Sequence, residues 1–200
     1  MQSAIRVIHD EHRALAAVLH GLVTLAHTAR DSRVQPEFTA FRAMIHYIDS
    51  FPERLHHPKE EKFLFARLAE RAPEALPVIE ALRAEHVRGA RLIREVEKAL
   101  LDYELEGAKA VDAFVAAVDG YVKFHRAHMR REEGELLPIA ERRLTAEDWS
   151  ALDAAFAGNN DPIADMRELD FDRLFTKIVS LAPAPVGLGE PWRKAGAPRP

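Results

Sequence analysis

The stretch that decides the fold is His56-His57-Pro58-Lys59-Glu60-Glu61, and a similar stretch, His128-Met129-Arg130-Arg131-Glu132-Glu133, follows some seventy residues later. In the first, His56 precedes Glu60 by four residues, and the second repeats that spacing. Residues four apart lie on the same face of a helix, so each pair can direct an imidazole and a carboxylate toward one point. Two such pairs are typical of a metal site built from helices.

The helical phase around the first pair separates inward from outward side chains. Helical steps back from His56 reach apolar residues, namely Ile48, Ile45 and Phe41. The same walk from His57 reaches polar residues, namely Glu53, Ser50 and His46. We therefore expect His56 and Glu60 to face the core, and His57 and Glu61 to lie at the periphery.

Three further histidines lie on apolar stripes of other predicted helices. His12 follows Ile5 and Ile8, His86 shares a face with Ile79 and Leu82, and His128 shares one with Phe114 and Phe124. A single inward histidine is more often a hydrogen-bonded core residue, and a lone His–Glu pair can be a surface ion pair. Four helices that each offer an inward histidine favour a shared metal centre. Buried Glu60 and Glu132 would then need its positive charge.

The remaining histidines are assigned by position. His125, one turn before His128, is the candidate for an extra ligand or hydrogen-bond partner. We place the others at the surface or around the ligands: His9, His20, His27 and His46.

Composition excludes several classes of protein. The 200 residues suit one domain with an appendage, and a net charge of -4 without a basic block argues against nucleic acid as the main partner. The absence of cysteine excludes thiolate zinc sites, iron–sulfur clusters and disulfides, so any metal must be held by nitrogen and oxygen. No apolar leader or membrane-spanning run is present, and we expect a cytoplasmic protein without a membrane partner.

Helical periodicity along the chain predicts an all-α protein, an antiparallel up-down four-helix bundle with one or two short extra C-terminal helices. Pro52 and Pro58 predict a kink or break near 50–58. We expect the bundle to cover 1–144, a helical appendage packed on it to cover 145–182, and a mobile tail rich in proline and glycine to cover 183–200.

The motifs together resemble the hemerythrin-like (HHE cation-binding) family of bacterial proteins. The resemblance rests on Asp10-Glu11-His12, Ala84-Glu85-His86, the two His–Glu stretches above and Leu136-Leu137-Pro138. It implies a four-helix bundle around two iron ions bridged by two carboxylates and an oxide or hydroxide. Carried over position by position, the implied ligands are His12, His56, Glu60, His86, His128 and Glu132.

The chain departs from the family pattern in two respects. Oxygen-carrying hemerythrins have a second histidine one turn before the third-helix ligand, where this chain has Leu82, so five histidines become four. An open or water-filled position on one iron would favour redox reactivity over reversible oxygen carriage. Family members that repair damaged iron centres begin with a cysteine pair, which this chain lacks.

The leading hypothesis is therefore a non-haem di-iron protein that binds dioxygen or reacts with peroxide or nitric oxide, with turnover left open. The alternative is an iron- or oxygen-responsive sensory or binding module that acts through a partner protein. Ferritin-like ferroxidases need two Glu-x-x-His motifs, and only Glu53 with His56 has that spacing, so they are disfavoured.

Overall fold

The computed structural model describes residues 3–32, 34–157 and 176–194, and the description below is confined to them. The first helix, α1, covers Ser3–Asp31. Its buried stripe includes Ile5, Ile8, Leu15, Leu19 and Leu22, which recur at the three- and four-residue spacing of one helix face. This face packs toward the rest of the bundle.

The second helical segment alternates between α-helical and π-helical turns. It comprises α2 (Phe38–Ser50), a π-helical turn (Pro52–His56), α3 (His57–Lys59), a second π-helical turn (Glu60–Phe65) and α4 (Ala66–Arg71). The predicted irregularity near 50–58 is therefore present as a wider turn instead of a break.

The third and fourth helical segments complete the bundle. A short 3₁₀ turn at Pro73–Ala75 leads into α5 (Leu76–Glu106). After a turn at Gly107–Lys109, α6 covers Val111–Arg131. Gly107 has φ 64°, a left-handed conformation that favours glycine and ends α5 sharply. A third π-helical turn (Glu132–Leu136) then joins α6 to α7 (Leu137–Arg143).

Two apolar clusters form the core, and a polar layer lies between them. The first cluster contains Phe41 and Phe114, packed edge to face with ring centroids 5.1 Å apart. The second contains Ile5, Phe65 and Leu82. Along α1 and α5 the buried residues pass from the second cluster to the first, whereas along the second and fourth segments the order is reversed. Between the clusters each segment contributes buried polar side chains.

The C-terminal residues pack against this bundle. Helix α8 covers Ala146–Ala157 and begins with a reciprocal capping interaction, in which the Asp148 amide donates to Thr145 Oγ1 (3.2 Å) and the Thr145 amide donates to Asp148 Oδ2 (3.0 Å). The Ala4 amide of α1 donates to Asp153 Oδ1 (2.7 Å), which attaches α8 to the bundle.

The last described residues return to the first apolar cluster. Residues 176–181 are helical. Strand β2 (Arg193–Lys194) then pairs antiparallel with β1 (Val34–Gln35), and the Trp192 ring lies 5.5 Å from that of Phe41. The predicted mobility of 183–200 and the predicted domain boundaries stay predictions, and 195–200 lie outside the described residues.

The predominantly helical fold agrees with the sequence prediction of a helical bundle, and the described residues also contain a two-residue β pairing that was not foreseen. No helix among the described residues combines the length and the apolar character needed to cross a membrane.

Candidate metal centre

All six ligands implied by the sequence lie in the polar layer between the two apolar clusters. Their exposed fractions are between 0 and 5%. They come from all four helical segments. Helices α1, α5 and α6 supply one each, and so does each of the three π-helical turns. The six are His12, His56, Glu60, His86, His128 and Glu132.

Four of them form the first ligand group, in which the possible metal-binding atoms lie within 4.8 Å of one another: His12, His56, Glu60 and Glu132. The Nε2 atoms of His12 and His56 are 3.1 Å apart. Nε2 of His56 lies 2.8 Å from Glu60 Oε1, and Nε2 of His12 lies 3.4 Å from Glu132 Oε2. Two imidazoles and two carboxylates thus converge on one point.

The second ligand group consists of three histidines under the same distance criterion: His57, His86 and His128. The rings of His57 and His86 stack with centroids 4.0 Å apart and an interplanar angle of 9°. The His128 ring meets both of them edge to face, at 5.2 Å from His57 and 5.0 Å from His86.

The peripheral position predicted for His57 is wrong, because its exposed fraction is only 4%. The walk from His46 to His57 assumed a regular α-helix, but it crosses the π-helical turn at Pro52–His56. There the amide of His56 donates to the carbonyl of Phe51, five residues back, at 3.1 Å. The extra residue in that turn rotates everything after it by about 100°, which carries the His57 ring into the centre.

The burial of His57 also bears on the number of histidines near the candidate metal site, which the sequence predicted to be four. Leu82, at the position where a fifth histidine was expected to be missing, is fully buried in the second apolar cluster. His57 supplies a fifth imidazole from the second segment instead. The structure thus places two histidines in the first group and three in the second.

Glu60 connects the two groups. Its Oε1 lies 2.8 Å from His56, in the first group, and its Oε2 lies 3.6 Å from Nε2 of His86, in the second. One carboxylate therefore reaches a histidine of each group.

The buried polar atoms test whether these residues suit a metal. None of the four oxygens of Glu60 and Glu132 has a hydrogen-bond partner among the described residues, and neither do Nε2 of His86 and His128. Buried polar groups are rarely left without partners unless an ion or water belongs there. The short His56–Glu60 distance lacks hydrogen-bond geometry, which is expected when both atoms are directed toward a third point. The donor set fits a bound cation.

In the metal-free protein, bound protons offset part of the negative charge of the buried carboxylates. Burial and the neighbouring Glu132 raise the pKa of Glu60 to about 8. Burial opposes the charge on His12, but the carboxylates of Glu132 and Glu133, 3.4 and 2.8 Å from its ring nitrogens, more than compensate and raise its pKa to about 9. Burial opposes the charge on Glu132, but the neighbouring His12, Glu60 and His56 together outweigh it and lower its pKa, so Glu132 is the ionised member of the carboxylate pair.

The second group is neutral. Burial, followed by the charges of neighbouring histidines, lowers the pKa of His57 well below its usual value. Burial lowers the pKa of His86 to about 4, against the opposing effect of Glu61. Neutral imidazoles keep a nitrogen lone pair, which is the form that binds a metal.

A further polar group lies beside the ligands without joining either group. His125 is 1% exposed, neither ring nitrogen has a partner among the described residues, and the ring stacks on Tyr121 at 5.1 Å. The buried Tyr121 hydroxyl likewise lacks a partner among them. The expected role of His125 as an extra ligand or a hydrogen-bond partner stays a prediction. His20 and His46 are exposed, and His9 and His27 are partly exposed, as expected.

The π-helical turns explain how the sequence builds the site locally. Proline has no amide hydrogen, so Pro52, Pro58 and Pro138 each remove one i to i−4 hydrogen bond and ease a wider turn. Glu60 begins the second π-helical turn and Glu132 begins the third. Such turns are common at functional sites. The clustering of proline near the His–Glu pairs was the available signal for them.

Comparison with known families agrees with this geometry. A family model described as "Hemerythrin HHE cation binding domain" matches residues 3–140, a range that contains every residue of both groups. No curated protein matches the chain. No solved structure matches it either.

Proposed function

Because the chain belongs to the hemerythrin HHE cation-binding family, we propose that it is a non-haem di-iron protein that binds dioxygen or reacts with peroxide or nitric oxide. One observation carries the proposal: two adjoining ligand groups, with two and three histidines, are joined by Glu60. His12 and His56 would hold one iron, and His57, His86 and His128 the other. Glu60 and Glu132 would lie between them.

Iron is favoured by the chemistry of the donors. Imidazole together with carboxylate, in a chain without cysteine, suits iron, manganese and zinc. The family match and the two buried acids direct the choice toward a pair of iron ions. When bound, these would supply a change between ferrous and ferric states and a coordination position for the small ligand.

The protein's own contribution is to orient the ligands and exclude water. Residues of the first apolar cluster lie on one side of the polar layer and residues of the second on the other. Phe65 stacks on the His86 ring at 5.6 Å, and Phe51 on the His56 ring at 6.1 Å. Apolar packing on both sides keeps the charged groups in a low-dielectric environment, where their interactions are strong.

A cleft provides access for a small molecule. It has a volume of about 590 Å³, and its lining includes His57, His86 and Glu53 as well as the cationic side chains of Lys62 and Arg83. A peroxide or diatomic molecule is far smaller than this cleft.

We also infer that the four segments run antiparallel. The order in which each segment meets the two apolar clusters alternates from one segment to the next. Short connections, such as Gly107–Lys109 between α5 and α6, favour the same up-down arrangement.

The test is anaerobic reconstitution with ferrous iron followed by exposure to each ligand. We expect two irons per chain, and a change in the visible spectrum on mixing with dioxygen, nitric oxide or hydrogen peroxide. A stable oxygenated spectrum would favour carriage, whereas fast oxidation with consumption of peroxide would favour catalysis. Purified chain that cannot take up iron under these conditions would refute the proposal.

A further inference from the structure

Four glutamates surround the ligand groups, and each contacts a histidine on a different helical segment. Glu11 lies 2.7 Å from Nδ1 of His56, and Glu61 lies 2.7 Å from Nδ1 of His86. These contacts lead from the first segment to the second, and from the second to the third.

The other two contacts join the third segment to the fourth and the fourth to the first. Glu85 of α5 lies 3.1 Å from Nδ1 of His128, on the fourth segment. Glu133 of the fourth segment lies 2.8 Å from Nδ1 of His12, on the first. Each segment thus offers one carboxylate to the next, and we call the four residues the carboxylate ring: Glu11, Glu61, Glu85 and Glu133.

The ring is tied to the ligands by sequence as well as by contact. Glu11 and Glu85 directly precede His12 and His86, whereas Glu61 and Glu133 directly follow Glu60 and Glu132. A residue next to an inward one is rotated by about 100° and points sideways, toward the neighbouring segment. Neighbouring segments of an antiparallel bundle run in opposite directions. Because the glutamate precedes the inward residue on the first and third segments and follows it on the second and fourth, all four glutamates point the same way around the bundle.

The contacts determine which ring nitrogen can bind metal. An ionised carboxylate can only accept a hydrogen bond, so Nδ1 of each contacted histidine must carry the hydrogen. In a neutral imidazole this leaves the lone pair on Nε2. The Nε2 atoms are the inward ones, since those of His12 and His56 meet at 3.1 Å, and those of His86 and His128 are buried without hydrogen-bond partners among the described residues.

His57 lies outside this scheme. Its Nδ1 is 3.4 Å from Glu53 but has no hydrogen bond among the described residues. Glu53 is itself buried, and burial raises its pKa to about 8. The ring glutamates are more accessible, with side-chain exposures of 15% for Glu11 and 42% for Glu61. Glu85 additionally forms an ion pair with Arg131.

From this geometry we propose that Glu11, Glu61, Glu85 and Glu133 are positioning residues of the metal centre. Each fixes the tautomer and orientation of a histidine on the adjoining segment, and their combined negative charge favours the more highly charged, ferric state. The inference rests on the proposed function, since it concerns the same centre. Carboxylates that hold metal-binding histidines typically contribute 10- to 100-fold to metal affinity.

The experiment compares Glu11→Gln and Glu61→Gln with Glu95→Gln in the full chain. Glu95 is an exposed glutamate of α5 and serves as the matched control. Glutamine can still accept a hydrogen bond but carries no charge. Measurements are the affinity for ferrous iron, by anaerobic competition with a coloured chelator, and the midpoint potential of the loaded protein.

For each ring variant we expect about 10- to 100-fold weaker iron binding and a higher midpoint potential, with metal-free melting temperature close to that of the wild type. A merely structural role would move the melting temperature and leave the potential unchanged. If the wild type binds two irons but the ring variants match Glu95→Gln in affinity and potential, the ring inference is wrong and the proposed function stands. If the wild type binds no iron, the proposed function fails and the ring inference fails with it.

Discussion

Replacement of Glu60 by glutamine should have opposite effects on stability with and without metal. In the metal-free protein the buried carboxyl keeps a proton, because its pKa is raised to about 8. The unfolded chain releases that proton with a pKa of 4.5. At pH 7 this difference costs the folded state about 3 kcal/mol, which an uncharged isosteric amide avoids.

The metal-free variant should therefore melt about 6–12 °C higher than the wild type at pH 7, at roughly 2–4 °C per kcal/mol for a chain of this size. The sign follows from the direction of the pKa change. A carboxyl with a raised pKa contributes fully to stability below pH 4.5 and loses that contribution as the pH rises through 8. The advantage of Glu60→Gln should consequently vanish near pH 4 and reach its maximum above pH 8.

Iron should reverse the order. Free iron at 100 times its dissociation constant stabilises the wild type by about 2.7 kcal/mol per site, or roughly 5 kcal/mol for two. The variant lacks the carboxylate that reaches both ligand groups and should gain much less. Calorimetry of both proteins, with ferrous iron and with chelator, measures whether the order of their melting temperatures reverses. A variant that is destabilised in chelator, or that gains as much from iron as the wild type, would refute the reasoning.

Three further expectations follow from the described contacts. His57→Ala should remove the metal of the second ligand group while the exposed His46→Ala keeps both, as measured by iron content per chain, and equal iron in both variants would contradict the place given to His57. Iron binding at pH 7 should release protons, because His12 and Glu60, with pKa values of about 9 and 8, hold protons that metal must displace, so affinity should rise with pH up to about 9. Calorimetry in two buffers of different ionisation enthalpy checks this, and a heat independent of buffer would count against it. Phe114→Ala should reduce the free energy of unfolding by about 3–5 kcal/mol, because the side chain is fully buried, yet leave the iron content unchanged. Loss of iron in that variant would show that the polar layer depends on the first apolar cluster more than the geometry indicates.

Much of the bundle could be predicted from the sequence because helical periodicity is a local property. Ile5, Ile8 and Leu15 fall on one face of α1 whatever the helix packs against, and they are buried as expected. The inward orientation of His12 could be inferred in the same way.

His57 could not be placed by this reasoning. Its direction depends on whether the turn at Pro52–His56 closes with four-residue or five-residue hydrogen bonds, and proline permits both. The packing of the second segment against its neighbours selects the wider turn. A phase counted along the chain therefore misplaces His57, which follows the turn, even though it is correct for Ile48 before it.

The amino acids alone established a helical protein with imidazole and carboxylate donors on apolar faces and no cysteine thiolate. Only the tertiary structure decided that these donors divide into two adjoining groups, that Glu60 reaches both, and that Glu11 meets His56 across a helix boundary. The physical reason is that the helical repeat fixes the spacing of side chains on one helix, whereas the distances between helices depend on how their apolar faces pack together.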